Sequence, residues 1–216
     1  MLVLGITGGV GSGKSAILTY LEEHYNCRIL LSDDAAKKLE EPGEPLYAPL
    51  VSLLSVYDEQ RGRSLLTQTG EIDKAEMAAR IFADASLLKK VNQLVHPAVN
   101  TYILEQIGYE RARGVYEFFV LESAILIENG YRDVADSLWY VYCNEAVRRE
   151  RLASSRGYTQ EKITSIMKNQ LSEEEFYQNC DVVIDNSGEL TGENGSYAQV
   201  DRAITELRNR TVNGTL

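Results

Sequence analysis

Leu2-Val-Leu-Gly-Ile-Thr7 runs straight into Gly8-Gly-Val-Gly-Ser-Gly-Lys-Ser15, and a helical pattern follows from Ala16 to Glu23. A strand, a Gly-x-x-x-x-Gly-Lys-Ser loop and a helix in that order make a phosphate-binding P-loop in the setting that its chemistry needs. A triphosphate concentrates several negative charges, and backbone N–H groups surround it only if the chain curls tightly. Gly8, Gly9, Gly11 and Gly13 permit that curl and the close approach of backbone to anion. Val10, Ser12 and Ala16 complete the loop, and the helix start turns its free N–H groups and its dipole toward the phosphates. Lys14 supplies a point charge for the β and γ phosphates, and the Ser15 hydroxyl suits Mg²⁺ bridging them. The competing view, a glycine-rich turn with a chance Lys-Ser, leaves the flanking strand and helix unexplained.

Working outward, the 216 residues fit one moderate α/β domain, and 44% apolar content suffices for a buried core. A net charge of −10 opposes broad binding to nucleic acid or anionic membrane. Cys27, Cys143 and Cys180 are far apart and form no CxxC pair. They indicate neither a zinc site nor a disulfide framework, and read as small buried or half-buried apolar residues. With a strand starting at Leu2 and no membrane-length apolar run, a cytoplasmic protein is expected, a monomer or weak homo-oligomer.

Five β-rich runs, at 2–7, 28–32, 115–121, 137–143 and 182–185, alternate with helical patterns, the signature of a parallel sheet with crossover helices. About eighty residues separate the second run from the third, far more than a crossover needs. After the break at Glu41-Pro-Gly-Glu-Pro45, helices are predicted over 47–57, 72–78, 85–95 and 98–112. This excess reads as a helical subdomain building a second binding site. After Cys143, Asn144 suits an N-cap for a helix over 145–155, which Gly157 would end. A further helix over 160–171 and the capping-box pattern Ser172-x-x-Glu175 follow. The resulting division is a core of 1–40, 114–147 and 180–210, an insert of about 41–113 and a lid of about 148–179.

Several residues outside the loop can carry chemistry. Asp33 ends the second strand, where open α/β sheets bind ligands, and can accept the proton of an attacking hydroxyl; it can equally cap the helix that follows. Arg148, Arg149, Arg151 and Arg156 cluster in an acidic chain. Arg148, Arg151 and Ser155 share one helical face, while Arg149, Leu152 and Arg156 share the next. On a lid such arginines would neutralise phosphate charge; the bland alternative is solvated pairing with Glu145 or Glu150. His96-Pro97 places a histidine that can contact an anionic or ribose group, with Pro97 keeping His96 out of helical conformation. Glu122 ends the third strand, where an acid can hold a water of the Mg²⁺ shell or pair with Lys14. Glu128 reads as a surface or helix-end residue.

Taken in order, these segments resemble the dephospho-CoA kinase family from Leu2 to about Gly188. They are the P-loop, Asp33, Glu41-Pro-Gly43, Gly70-Glu-Ile-Asp73, Ile81-Phe82, Val95-His-Pro-Ala-Val99, Arg151-Leu152, Gln170 and Asp181-Val-Val-Ile-Asp-Asn-Ser-Gly188. The resemblance implies a nucleoside-kinase-like fold with strand order 2-3-1-4-5, and ATP-dependent, Mg²⁺-assisted phosphorylation of the ribose 3′-hydroxyl of dephospho-CoA. It implies Asp33 as base, ATP on Lys14 and the P-loop, phosphate contacts from the lid arginines Arg148 and Arg151, and Asn186 near the adenine. Leu31 departs from the family, which often carries a first acid there. A nucleotide switch fits less well: no Asn-Lys-x-Asp guanine motif occurs, and the Asp-x-x-Gly at Asp185–Gly188 follows the last strand.

Overall fold

The computed structural model describes residues 1–58 and 62–214, so Glu59, Gln60 and Arg61 of the predicted insert lie outside the described residues, as do Thr215 and Leu216. The chain divides into two compact units, 1–30 with 110–216, and 31–109.

The first unit is built on a five-stranded sheet of order β2-β3-β1-β4-β5. Its strands are β1 (Leu2–Thr7), β2 (Cys27–Leu31), β3 (Phe118–Glu122), β4 (Ser137–Tyr142) and β5 (Val182–Asp185). β1 pairs in parallel with β3 and β4, and β4 with β5. The order is the one that the family resemblance implies, and the last strand has the expected bounds. The third begins at Phe118 rather than Val115, which is exposed. Glu117 and Phe118 donate their N–H groups to the Asn26 carbonyl, and that anchor starts the strand. Val3, Leu4, Ile6, Phe118, Phe119, Val120 and Leu138 are buried, as strands covered on both faces require. Each such side chain contributes on the order of 1.5–3 kcal/mol by leaving water. Gly5 admits the neighbouring strand, because a Cβ there would meet Leu138 Cδ2 at 2.4 Å.

Helices α1 (Lys14–His24) and α9 (Ser196–Val212) pack together, burying Ile17, Leu18 and Leu21 of one and Val200, Ala203, Ile204 and Leu207 of the other. Between β4 and β5 lie α6 (Glu145–Arg156), α7 (Gln160–Lys168) and α8 (Glu173–Asn179). The Asn144 side chain accepts from the Ala146 N–H, Gly157 closes α6 in left-handed conformation, and Ser172 with Glu175 forms the capping box. Phe176 of α8 stacks on Tyr140 of β4 with ring centroids 4.5 Å apart.

The second unit contains α2 (Ser32–Leu39), α3 (Tyr47–Leu54), a 3₁₀ turn at Ser55–Tyr57, α4 (Lys74–Ala83) and most of α5 (Ala85–Arg113). Two expectations are corrected here. The helix predicted over 72–78 starts at Lys74, because Asp73 caps it by accepting from the Ala75 and Glu76 N–H groups. Ile72 instead bridges to Leu66. The pair predicted over 85–95 and 98–112 is one helix with Pro97 inside it. Proline removes one N–H, leaving the Gln93 carbonyl without its helical donor. Gln93 is exposed, so solvent can satisfy that carbonyl, while Val91, Val99, Ile103 and Ile107 bury a continuous apolar stripe. The stripe outweighs the lost hydrogen bond, and His96 is therefore helical.

Candidate functional site

The chain leaving β1 passes against β4: a Cβ on Gly8 would stand 2.5 Å from the Val141 carbonyl oxygen. Gly11 and Gly13 have φ of 83° and 87°, left-handed values that favour glycine, and Gly13 forms the N-cap of α1. Within the turn, the Ser12 N–H donates to the Gly9 carbonyl at 3.1 Å and the Ala16 N–H to the Gly13 carbonyl at 3.0 Å. The N–H groups of Gly11, Gly13 and Ser15 take no partner among the described residues. They converge with the positive end of the α1 dipole, which makes the loop an anion cradle. Two buried hydroxyls, Thr7 Oγ1 and Ser12 Oγ, also lack a hydrogen-bond partner there, adding polar capacity at the loop.

Lys14 Nζ donates to the Gly8 carbonyl at 2.8 Å and stands 3.5 Å from Glu122 Oε1. The parallel register that sets Glu122 beside Ile6 brings the two together. The pairing considered for Glu122 is thus present, and it holds the lysine at the loop. The Ser15 side chain is exposed at the start of α1. No group of three or more His, Cys, Asp or Glu side chains suited to a metal occurs among the described residues. One hydroxyl and one carboxylate fit a divalent ion that keeps most of its waters and is held mainly by phosphate oxygens.

Four side chains from distant segments hold the loop. Arg148, nine-tenths buried, donates from Nε to the Val10 carbonyl at 3.1 Å and from Nη2 to Gln170 Oε1 at 2.8 Å. The Val10 N–H donates to the same Gln170 oxygen at 3.2 Å. Arg151 reaches the Ser12 carbonyl and the Cys143 sulfur, each at 3.4 Å. Burial pushes the Cys143 thiol up, so the sulfur beside Arg151 stays protonated at neutral pH. Asn186, 1% exposed, donates from Nδ2 to the Ser12 carbonyl at 2.8 Å and accepts from Ser196 Oγ at 2.9 Å. Both Asn186 contacts are to the protein's own chain, and its amide lies against Gly13, where a Cβ would stand 2.2 Å from Nδ2.

The helical faces read from the arginine spacing are redistributed. Arg148 and Leu152 face the loop together, and Leu152 Cγ would meet a Cβ on Gly11 at 3.0 Å. Arg149 takes the bland role, pairing with Glu145 at 2.7 Å and with Thr164. Arg156 is exposed in the last turn of α6.

Asp33 and His96 belong to the second unit. Asp33 is exposed in the first turn of α2, two residues past β2. It does not cap: α2 begins at Ser32, its N-cap is Leu31, and no side chain makes a capping bond. Asp34 pairs with Lys37 at 2.7 Å, while Asp33 accepts no hydrogen bond among the described residues. His96 is half-buried and, with Leu88, Lys89, Asn92 and Pro97, lines an open cavity of about 500 Å³ along α5.

Sequence reasoning missed the work of two residues. Gln170 stands in the motif set without a task, and Arg80 is absent from it. Arg80 is fully buried, donating to Glu76 at 3.0 Å, to Asp58 and the Leu54 carbonyl at 2.6 Å, and to the Arg63 carbonyl at 2.8 Å. The Glu76–Arg80 spacing of one helical turn is the only sequence trace of that network.

Comparison with known proteins adds to this geometry. A family model for dephospho-CoA kinase matches residues 2–192. A dephospho-CoA kinase from Shouchella clausii is 33% identical over 203 residues, covering 94% of this chain and 97% of its own. The crystal structure of TT1252 from Thermus thermophilus superposes with a TM-score of 0.75 at 24% identity, covering 95% of this chain and 96% of that one. That of a dephospho-CoA kinase from Campylobacter jejuni gives 0.69 at 18% identity, covering 94% and 97%.

Proposed function

The chain belongs to the dephospho-CoA kinase family, and we propose that it transfers the γ-phosphoryl group of ATP to the ribose 3′-hydroxyl of dephospho-CoA, giving coenzyme A and ADP. The observation that carries this reading is the cradle at Gly8–Ser15, whose unpartnered N–H groups and Lys14 suit a polyphosphate.

In the proposed reaction the acceptor oxygen bonds to the γ phosphorus, the bond from that phosphorus to the bridging oxygen of ADP breaks, and the hydroxyl proton passes to the Asp33 carboxylate. Phosphoryl transfer passes through a loose transition state, so placing the hydroxyl matters more than the basicity of Asp33. The loop N–H groups, Lys14 and the spare guanidinium donors of Arg148 and Arg151 would stabilise the transferring charge. Ser15 and Glu122 would hold Mg²⁺, which when bound neutralises phosphate charge. His96 and the α5 cavity are assigned to the acceptor, with the insert as acceptor subdomain and residues 148–179 as lid. Among the described residues no helix is long and apolar enough to cross a membrane.

The test is to incubate the purified protein with ATP, Mg²⁺ and dephospho-CoA and to follow ADP and coenzyme A. Formation of both is expected; phosphorylation of another acceptor with no coenzyme A overturns the proposal. Asp33→Asn should lose about 10²–10⁴-fold in turnover while binding ATP as the wild type does. Wild-type turnover in that variant removes Asp33 from the base role.

A further inference from the structure

We propose that Gln170 is a positioning residue for phosphoryl transfer, whose side-chain oxygen sets both the P-loop backbone and the guanidinium of Arg148 for the triphosphate. The inference rests on the kinase reading above and adds a residue to it.

Gln170 follows α7 and is separated from Val10 by 160 positions in sequence, yet its Oε1 accepts from the Val10 N–H at 3.2 Å and from Arg148 Nη2 at 2.8 Å. Arg148 Nε completes a ring by donating to the Val10 carbonyl at 3.1 Å. Both polar groups of one loop residue are therefore held, the N–H by Gln170 and the C=O by Arg148, and the two side chains hold each other. The guanidinium lies over Gly9, where a Cβ would stand 2.2 Å from Nη2 and 2.9 Å from Nη1, so only a residue without a side chain leaves room for it.

The chemistry of the amide suits this task. A single carbonyl oxygen with two lone pairs can accept both bonds at once. Its neutrality matters equally, because a carboxylate would accept the same two bonds and set a negative charge beside a polyanion site. Arg148 has five N–H donors in a fixed fork and uses two of them here. The others remain for phosphate oxygens, in an orientation that Gln170 and Val10 have already set. Pre-set donors need no reorganisation when charge develops, which is the condition for electrostatic stabilisation of transfer.

Gln170→Leu keeps the bulk and removes the acceptor. Gln170→Glu keeps the acceptor and adds charge. ATP affinity is measured at equilibrium without acceptor, alongside kcat, KM for dephospho-CoA and Tm. Gln170→Leu is expected to weaken ATP binding about tenfold and to lower kcat, with KM for dephospho-CoA within twofold of wild type, since one bond to the Val10 N–H and one to Arg148 are lost. Gln170→Glu is expected to weaken ATP binding at low salt and to recover toward wild type as salt screens the added charge. ATP affinity and kcat unchanged in Gln170→Leu overturn the proposal, as does a loss shared equally by ATP and acceptor. Should the leucine variant fail to fold, a salt-independent loss in Gln170→Glu overturns it alone. Wild-type protein that makes no coenzyme A overturns the kinase reading instead, and the ATP-binding arm still reports on Gln170.

Discussion

Asn186→Ala separates two tasks that one residue can perform for ATP. The family resemblance puts Asn186 near the adenine, whereas its side chain is 1% exposed and is bonded to the Ser12 carbonyl and to Ser196. Truncation removes the 2.8 Å bond to Ser12. Ser196 Oγ keeps its contact with the Asp185 carbonyl at 3.1 Å, so it is not stranded. Among the described residues the Ser12 carbonyl keeps only the 3.4 Å contact from Arg151. An unsatisfied buried acceptor costs roughly 1–3 kcal/mol, and the residual Arg151 contact places this site in the lower half, at about 1–2 kcal/mol. For a chain of this size that lowers Tm by about 2–8 °C. If the loop must recover its geometry to bind, the same energy weakens triphosphate affinity by roughly 5–30-fold. The assay is equilibrium binding of ATP and of inorganic tripolyphosphate to wild type and variant. A residue that props the loop weakens both ligands by the same factor. A loss confined to ATP, with tripolyphosphate untouched, would refute the propping role and restore Asn186 to the base.

In the helical unit, Arg80→Met should destabilise by about 3–5 kcal/mol in urea unfolding, because the buried bonds from Arg80 to Glu76, to Asp58 and to the Leu54 and Arg63 carbonyls are lost together; a change below about 1 kcal/mol would show that the network contributes little. Asp181 gives the pH dependence. Burial opposes its ionisation, but the hydrogen bonds from Arg132 and the Leu138 N–H outweigh burial and hold the carboxyl below its usual range. A carboxyl lowered in the folded state stabilises above its unfolded pKa of about 3.9, and that stabilisation fades as pH falls through the folded value. The Tm difference between wild type and Asp181→Asn should therefore be larger at neutral pH than in acid, and an equal difference at both would contradict this.

What was legible in the chain follows from how local its cause is. The glycines of the loop, the Asn144 cap and the Ser172–Glu175 box are enforced by neighbours within a few residues, and each stands where its pattern placed it. Strand order was legible only through the family resemblance, since alternating strands and helices allow several orders. Pro97 misled because its local penalty is one hydrogen bond, while the buried stripe from Val91 to Ile107 spans four turns and decides the helix. The arginine cluster is only partly legible, for a different reason. Periodicity assigns side chains to faces but not to partners, and the partners of Arg148 and Arg151 are carbonyls of Val10 and Ser12, roughly two-thirds of the chain away. Backbone carbonyls leave no mark on a sequence, so a residue whose work is to hold them looks like any other polar residue on a helix. Asn186 holds the Ser12 carbonyl in the same way, and Gln170 holds the Val10 N–H. The loop that binds phosphate is therefore readable by itself, whereas the side chains that fix its shape are recognised only when the fold brings them to it.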